Sequence, residues 1–383
     1  MMKISVIGMD IAKRVIQLHT VCPETGEIGR FKLQRRETLD FLARREPSVV
    51  AMEACGRAHW WGREISKLGH EVRLLAPRSV RPFVLRNKTD AADARAIWTA
   101  AQQPDARFVA VKTEIQQSVL ALHRLRAQLL KFRIMQTNAL RGLLYEFGEV
   151  LPEGYVALSK ALPSALAMLD ARLPAILIDS LREQWARVQR LDAEIATIER
   201  RLTSILKETP QCQSVAAIPG VGLLTATAAV ASIGDARTFK SGREFAAWLG
   251  LVPKQRGTGG WIRQLGLSKR GDVYLRTLLM HGARAVIVRH GEKPWLTALL
   301  QRRPYNVAVA AVANKLARTI WAAALGNRLL ADALSDDIFE HLVQVWQVLL
   351  RGIVPAPSLP YFQEMVDRMA AQYRDHYKSP EHG

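Results

Sequence analysis

The sequence of 383 residues contains 54 lysine and arginine residues against 35 acidic residues, which gives a formal net charge of +19 and an isoelectric point near 10.3. This excess favours a polyanionic partner, with nucleic acid ahead of a membrane surface, and the length predicts two or three domains. No run of about 18 uncharged apolar residues is present, and three distant cysteines do not fit a zinc or redox motif, so we expect a soluble, cytoplasmic protein without a membrane partner.

The first third of the chain reads as strands alternating with helices. Strand patterns occupy residues 4–9, 15–21, 27–33, 48–52 and 71–75, and helical patterns occupy residues 38–45 and 58–68 and a segment that begins near Asp90. A turn at residues 22–26 joins the second and third strands, so the first three should be antiparallel. The resulting order βββαβαβα is that of the α/β ribonuclease-H-like fold.

Four acids stand at informative positions along these elements. Asp10 follows the first strand and Glu53 follows the fourth, while Asp90 and Asp93 share one face of the helix that Thr89 can cap. The helix start alone is ordinary, but an acid at the end of a buried strand is costly unless it is paired or binds a metal. In the ribonuclease-H-like fold these elements converge, and four oxygen ligands suit Mg²⁺, or Mn²⁺ in its place.

Two long helices are predicted next. The first, over residues 113–144, is basic and includes Arg124, Arg126 and Lys131, which could form a solvated face or contact phosphates. The second, over residues 177–206, repeats apolar residues at three- and four-residue steps. This repeat resembles a coiled-coil seam, although a helix buried in a bundle of the same chain would look alike, and we favour self-association.

The segment that follows contains a glycine-rich turn. Residues 218–222 (IPGVG) lie between short helical patterns and resemble a helix-hairpin-helix, in which glycines let backbone amides approach a DNA phosphate. A tight turn in a protein core would also need glycine there. Helices are expected over residues 224–233 and 239–249, with Ser241 as a cap of the latter.

Residues 250–263 read as a glycine-rich loop in which Thr258 is surrounded by Gly257, Gly259 and Gly260. Small neighbours leave its hydroxyl accessible, and nearby cations could hold a phosphate. These cations, extending into a helix over residues 273–288, are Lys254, Arg256, Arg263, Lys269, Arg270 and Arg276. The alternative is a phosphate-binding loop without chemistry, and a Walker-type loop is excluded because no Gly-Lys-Ser/Thr ends the run.

Together these motifs resemble the DEDD-type transposases of bacterial insertion sequences, family one-ten, which are bridge-RNA-guided recombinases related to the pilin-gene invertases. The likeness runs from residue 3 to about residue 325. It rests on residues 8–13 (GMDIAK), 52–56 (MEACG), 87–95 (NKTDAADAR), 218–222 (IPGVG), 250–253 (GLVP) and 268–276 (SKRGDVYLR).

The resemblance implies four segments. These are a RuvC-like DEDD domain at residues 1–110, a helical or coiled-coil connector for oligomerisation and nucleic-acid contact at 111–210, a mainly α-helical transposase domain at 211–325, and a C-terminal extension with a flexible tail at 326–383. The protein would form a dimer to tetramer associated with the nucleoid. This assembly would act on donor and target DNA, and a structured bridge RNA would guide it. Lys88 would join the nucleic-acid contacts.

The resemblance further implies strand exchange through a covalent 5′-phosphoryl intermediate on a hydroxyl nucleophile. The commonest pattern has serine in the glycine-rich loop, and the best ungapped match puts Thr258 there. Another alignment puts Gly257 at that position, and Ser268 is the next candidate.

Two alternative functions remain open from the residues. A junction-resolving, Mg²⁺-dependent nuclease would use the same four acids to activate water, with a C-terminal half that only binds. An inactive transposase descendant would bind RNA or DNA without cutting it. A covalent protein–DNA product distinguishes the recombinase from both.

Overall fold

The computed structural model describes residues 5–84, 89–259 and 261–326 of the chain. These residues form two compact units. The first comprises the described residues up to Gln117 together with Ile233–Thr238, and the second comprises Ser118–Ser232 and the described residues from Phe239 onward. Lys88, Gly260 and almost all of the predicted C-terminal extension lie outside the described residues.

The first unit contains a mixed sheet with helices. Its elements in chain order are β1 Val6–Ile11, β2 Val15–Val21, β3 Ile28–Gln34, α1 Thr38–Ala43, β4 Val49–Glu53, α2 Ala58–Lys67, β5 Glu71–Leu75, α3 Pro77–Val80, a 3₁₀ turn Arg81–Phe83, α4 Asp90–Ala101 and β6 Phe108–Val109. The strand order is β3-β2-β1-β4-β5-β6. Strands β1, β4 and β5 are parallel, and the other pairings are antiparallel.

The predicted strands and helices of this unit are all present, with small differences at their ends. β2 and β5 have the predicted bounds, whereas β1 continues to Ile11, so Asp10 lies inside the strand rather than after it. The turn after β2 is closed by a 2.9 Å hydrogen bond from the Gly26 amide to the Cys22 carbonyl. The short elements α3 and β6 were not predicted.

Both faces of the sheet are covered, which explains the continuous apolar run of β4. Val50 and Met52 point into a core that includes Trp61 of α2, while Ala51 between them faces the helix residues Ala96 and Ile97 of α4. The N-terminal region is therefore an α/β layer structure in which α4 lies against β1, β2 and β4.

The second unit is mainly helical. Its elements are α5 Glu114–Glu146, which begins in the first unit, α6 Tyr155–Asp170, α7 Ala175–Glu208, α8 Pro210–Ala216, α9 Leu223–Ile233, α10 Gly242–Trp248, β7 Pro253–Thr258, β8 Trp261–Leu267, α11 Val273–His290, α12 Pro294–Arg302 and α13 Tyr305–Ala324. A 3₁₀ turn, Ala236–Thr238, precedes α10 and belongs to the first unit.

The apolar seam of α7 is buried inside the chain. Leu181 and Trp185 pack with α5 and α6, and Ile198 and Leu202 pack with Val119 at the start of α5. Ion pairs reinforce the α5–α7 contact, with 2.6 Å between Arg126 and Glu199 and a closer pair between Arg133 and Asp192. The bundle explanation of the apolar repeat is therefore correct, and this seam gives no support to self-association.

Helix α13 is long and apolar enough to cross a membrane by length and composition. More than half of the qualifying stretch is buried inside the protein, where it packs against α10 and α11. The helix also contains Lys315 and Arg318. It is the central helix of this core.

The predicted glycine-rich loop is mostly a two-stranded antiparallel ribbon, β7–β8, which corrects the prediction of an open loop. Every residue of β7 is exposed, and β8 is exposed except at Leu267. Backbone bonds of 2.8 and 3.2 Å, from Ser268 to Val252 and from Lys269 to Gly250, close the base of the ribbon.

Candidate functional site

Three of the four predicted acids form a cluster in the first unit. One carboxylate oxygen from each of Asp10, Asp90 and Asp93 lies within 4.8 Å of the other two. Glu53 ends β4 beside β1, where Met9 pairs with Met52, and its charge acts on Asp10. Strand β1 and the first turn of α4 therefore bring three of the acids together, and Glu53 lies at the end of the parallel strand next to β1.

Gly8 determines how closely that helix approaches the strand. A Cβ atom at this position would lie 2.3 Å from the Ala94 carbonyl oxygen and 2.6 Å from the Trp98 Cβ. Since only glycine fits, α4 rests directly on β1, and the Trp98 indole donates a 3.1 Å hydrogen bond to the Val6 carbonyl. This contact places the first turn of α4 beside Asp10. Gly8 belongs to the first acidic motif of the sequence, and the structure adds its steric role.

The start of α4 is fixed as predicted. The Thr89 side chain accepts a 3.2 Å hydrogen bond from the Ala92 amide, so it caps the helix. Asp90 is exposed and Asp93 half-buried in the first turn, where the helix dipole favours negative charge. Their three-residue spacing puts both on the face that meets β1.

The electrostatics of the cluster are unfavourable without a cation. Burial, followed by repulsion from Asp93, Asp90 and Glu53, raises the pKa of Asp10 to about 6. Among the described residues, no lysine, arginine or histidine forms an ion pair with Asp10, Asp90 or Asp93. Clustered oxygen donors that no described cationic side chain pairs with fit a hard divalent cation.

Thr258 lies at the exposed end of β7 in the second unit. It pairs directly with Trp261 of β8, and the chain turns through Gly259, which has a φ of 56°. Its hydroxyl is therefore presented at the tip of the ribbon rather than inside a loop.

Gly257 has a tight environment, which bears on the alternative alignment. A Cβ atom there would lie 2.5 Å from the Trp261 carbonyl oxygen, so any side chain would require a shift of the ribbon backbone. The position opposite it is Ile262, on the other face of the ribbon from Thr258. These contacts favour Thr258 over position 257 as the hydroxyl-bearing site.

The candidate nucleic-acid contacts have different environments. Most are exposed, with Arg124 and Lys131 on α5, Lys254, Arg256 and Arg263 on the ribbon, and Lys269 and Arg270 before α11. Arg126 is largely buried in its ion pair with Glu199. Arg276 donates hydrogen bonds of 2.9 Å to the carbonyls of Leu249 and Arg270 and so holds the loop before α11.

The turn at residues 218–222 joins α8 to α9. Its Gly220 packs against Gly282 of α11, and Gly222 is exposed with open space around it. Of these two glycines, only Gly222 is accessible to an approaching DNA backbone. Gly220 is explained by its packing inside the protein. The Ser241 hydroxyl caps α10, as predicted, by accepting a 3.3 Å hydrogen bond from the Glu244 amide.

Three hydrogen-bonded polar side chains, His123, Thr227 and Tyr274, link α5, α9 and α11. His123 Nδ1 lies 3.0 Å from the Tyr274 hydroxyl, and His123 Nε2 lies 3.0 Å from the Thr227 hydroxyl. Because the Thr227 hydroxyl donates to the Leu223 carbonyl at 2.8 Å, Nε2 carries the imidazole proton and Nδ1 accepts from Tyr274. Burial, and secondarily Arg126, lowers the pKa of His123 to about 4.

Comparison with known proteins gives two family-model matches. A model of DEDD transposases, described as "Transposase", matches residues 7–148, which include the four acids. A model described as "Transposase IS116/IS110/IS902 family" matches residues 212–301, which include Thr258.

Curated proteins match over most of the chain. A Pseudomonas aeruginosa protein named "Probable family 20 transposase" is 47% identical over 327 residues, which cover 84% of this chain and 97% of that protein. Transposases for insertion sequence elements of Yersinia enterocolitica and Coxiella burnetii are 38% and 39% identical, over 84% of this chain and 97% and 90% of their own lengths.

Proposed function

Because this chain belongs to the IS116/IS110/IS902 family of transposases, and is therefore a DNA-recombining enzyme of an insertion sequence, we propose that it exchanges DNA strands through a covalent 5′-phosphoryl link to Thr258. The observation that supports chemistry at the first unit is the cluster of Asp10, Asp90 and Asp93. The exposed hydroxyl at the ribbon tip supports chemistry at the second.

A DEDD transposase domain implies a divalent metal, and we assign its ligands to this cluster. Asp10, Asp90 and Asp93, with Glu53 from the neighbouring strand, would hold Mg²⁺, or Mn²⁺ in its place. A divalent ion in such a carboxylate site supplies positive charge to a scissile phosphate and to the oxygens that enter and leave. The repulsion that raises the pKa of Asp10 would be relieved by that charge.

The residues of the ribbon would perform the transfer. The Thr258 oxygen attacks the phosphorus and loses its proton to solvent or a base, while the bond from phosphorus to the 3′ oxygen breaks and that oxygen takes up a proton. The product is a 5′-phosphothreonine linkage and a free 3′-hydroxyl. Arg256 and Arg263, exposed on the same ribbon, would stabilise the charge that develops on the phosphate oxygens.

The architecture supports a ribonuclease-H-like, RuvC-like assignment of the first unit. Three antiparallel strands continue into the parallel strands β4 and β5, with the acids on β1, β4 and the following α4. We propose domain boundaries at residues 110, 210 and 325. β6 ends at Val109 and α7 ends at Glu208, close to the first two boundaries.

Family resemblance also motivates a structured guide RNA and a dimer to tetramer as the active assembly. The net charge of +19 fits a polyanionic partner and is compatible with DNA and RNA alike. Retention of a labelled transcript from the non-coding end of the element, measured against an unrelated RNA of equal length, tests the guide. Sedimentation of the loaded protein tests the assembly.

The nucleophile is tested by denaturing electrophoresis of labelled DNA incubated with protein, RNA and Mg²⁺. Wild type and Thr258→Ser should leave a detergent-resistant protein–DNA adduct, because both retain a hydroxyl. Thr258→Ala should bind DNA normally and form none. An adduct that persists in Thr258→Ala would move the nucleophile elsewhere, with Ser268 as the next candidate.

The same gels address the nuclease alternative, which is favoured by one observation: the acid cluster is assembled within the first unit alone. A nuclease that activates water would cut DNA in wild type and in Thr258→Ala equally, without an adduct in either. An inactive nucleic-acid binder would give neither cuts nor adduct.

A further inference from the structure

The two strands of the ribbon have distinct faces. Residues directly opposite each other in an antiparallel pair project on the same side, and alternate residues of one strand share a side. Thr258 pairs with Trp261, and Arg256 pairs with Arg263. These four side chains therefore lie on one face, which we call the Thr258 face.

The Thr258 face carries an indole that nothing in the described structure covers. Trp261 is 87% exposed, although a tryptophan side chain is among the largest apolar groups in a protein. Among the described residues, no acid pairs with Arg256 or Arg263 on the same face. An exposed indole ring beside two guanidinium groups that no described acid pairs with is complementary to a nucleotide. The base of the nucleotide can stack on the indole, and its phosphate can bind the guanidinium groups.

We propose that Trp261 stacks on an unpaired base of the DNA strand next to the phosphate that Thr258 attacks, and so positions that phosphate. The proposal rests on the assignment of Thr258 as nucleophile. Directly opposed residues of a ribbon have Cβ atoms about 5 Å apart, so a base on the indole brings its own phosphate to the hydroxyl and to the arginines. Trp261 acts as a positioning residue, and the base must leave its duplex to reach it.

Ile262 provides a matched control on the opposite face. It is adjacent in sequence, belongs to the same strand, and is 69% exposed. It pairs with Gly257, so its side chain projects away from Thr258 and the two arginines. Each substitution removes an exposed apolar side chain from β8, but only Trp261 can stack on a base at the Thr258 face.

The experiment measures stacking separately from chemistry. The probe is a single-stranded oligothymidylate with one central 2-aminopurine, whose fluorescence is quenched when the base stacks on an aromatic ring. Full-length Thr258→Ala protein serves as the background, so that strand transfer does not interfere. Trp261→Ala, Trp261→Phe and Ile262→Ala are added to this background, and the same sequence in RNA is tested in parallel.

We expect the background protein and the Ile262→Ala variant to quench the DNA probe equally. Trp261→Ala should lose the quenching and weaken DNA binding by about tenfold, the range for loss of one base–aromatic stack, with Trp261→Phe intermediate. In proteins that retain Thr258, Trp261→Ala should slow adduct formation by a similar factor, with Trp261→Phe again intermediate.

Quenching that is unchanged in Trp261→Ala, equally lost in Ile262→Ala, or confined to the RNA probe would overturn the proposal. These outcomes are independent of the nucleophile. An adduct that persists in Thr258→Ala would refute the nucleophile assignment while leaving the stacking result to be judged on its own.

Discussion

Asp10 is the acid whose replacement should separate catalysis from binding. Asp10→Asn keeps the shape but removes the charge, so strand cleavage in Mg²⁺ should fall by about a hundredfold or more while DNA binding is retained. In EDTA the variant should melt at a higher temperature than wild type, because burial and three neighbouring acids disfavour the ionised form of Asp10 and raise its pKa to about 6.

Asp105, an exposed acid between α4 and β6, is the matched control for this substitution. Asp105→Asn should change neither cleavage nor the melting temperature. Full cleavage by Asp10→Asn, measured on labelled DNA at the same Mg²⁺ concentration, would contradict the metal assignment. Thermal scans in EDTA and in Mg²⁺ provide the second readout, since the ion should stabilise wild type and Asp105→Asn but not Asp10→Asn.

The lowered pKa of His123 predicts that the free energy of unfolding depends on pH. Its pKa is about 4 in the folded chain, against an ordinary value near 6.5, so the unfolded chain binds a proton more readily in this interval. The contribution of the neutral imidazole is present above pH 6.5 and is lost as the pH falls towards 4. At pH 5 the loss amounts to about 2 kcal/mol of the free energy of unfolding.

Urea unfolding at pH 7.5 and pH 5 measures this difference. His123→Asn keeps a neutral hydrogen-bonding side chain that cannot be protonated in this range, so it should be less stable than wild type at neutral pH but show a smaller change between the two pH values. An equal change in both proteins would assign the pH dependence to other groups.

The register of the ribbon predicts that a serine hydroxyl at position 257 cannot replace the hydroxyl of Thr258. In a Thr258→Ala background, Gly257→Ser should restore no protein–DNA adduct, because its Cβ would press on the Trp261 carbonyl and its hydroxyl would face away from Arg256 and Arg263. Thr258→Ser, with Gly257 left unchanged, is the positive control. Adduct formation by the Gly257→Ser variant on denaturing gels would favour the alternative alignment.

The strands of the ribbon could not be predicted from the sequence, unlike the strands of the first unit. Strands β2 and β5 could be placed to the residue because apolar residues reveal a buried face. A ribbon exposed on both faces leaves no such pattern, and its glycines read as a loop. The grouping of the acids could be predicted from the order of elements, but their closeness depends on Gly8, whose steric contact is invisible in one sequence.

Helix α7 illustrates a different limit. Its apolar repeat was clear in the sequence, and Leu181, Trp185 and Leu202 are buried as the repeat predicts. Periodicity identifies which face is buried but not what covers it, so a coiled coil and an internal bundle could not be distinguished. Helix α6, which supplies part of the cover, was missed, and it contains Pro163 in its interior, a residue that argues against a helix.

For the whole molecule, the charge predicts binding that weakens steeply with salt. A net charge of +19 implies that several phosphates are neutralised in the complex. Replacing Lys269 and Arg270 together should flatten the slope of log affinity against log salt by about two units if each contacts a phosphate. Lys269 has a φ of 53°, so Lys269→Asn, combined with Arg270→Gln, limits backbone strain.

Titration of labelled duplex DNA at several salt concentrations gives this slope. Arg35→Gln with Arg36→Gln, in the first unit, removes the same charge from a region to which no phosphate contact is assigned and should change the slope less. An identical slope for wild type and the Lys269/Arg270 variant would remove these two residues from the interface.

The segment Ile233–Thr238 belongs to the first unit although it is flanked on both sides by chain that belongs to the second. The polypeptide consequently passes between the units after Gln117, after Ser232 and after Thr238. A single backbone cut at any of these passages leaves parts of one unit on both fragments. A protease-nicked protein should therefore stay together under native conditions, and a gene fragment that ends at Gln117 would encode a first unit without one of its own segments. Separate halves of this transposase cannot be made by dividing the gene once.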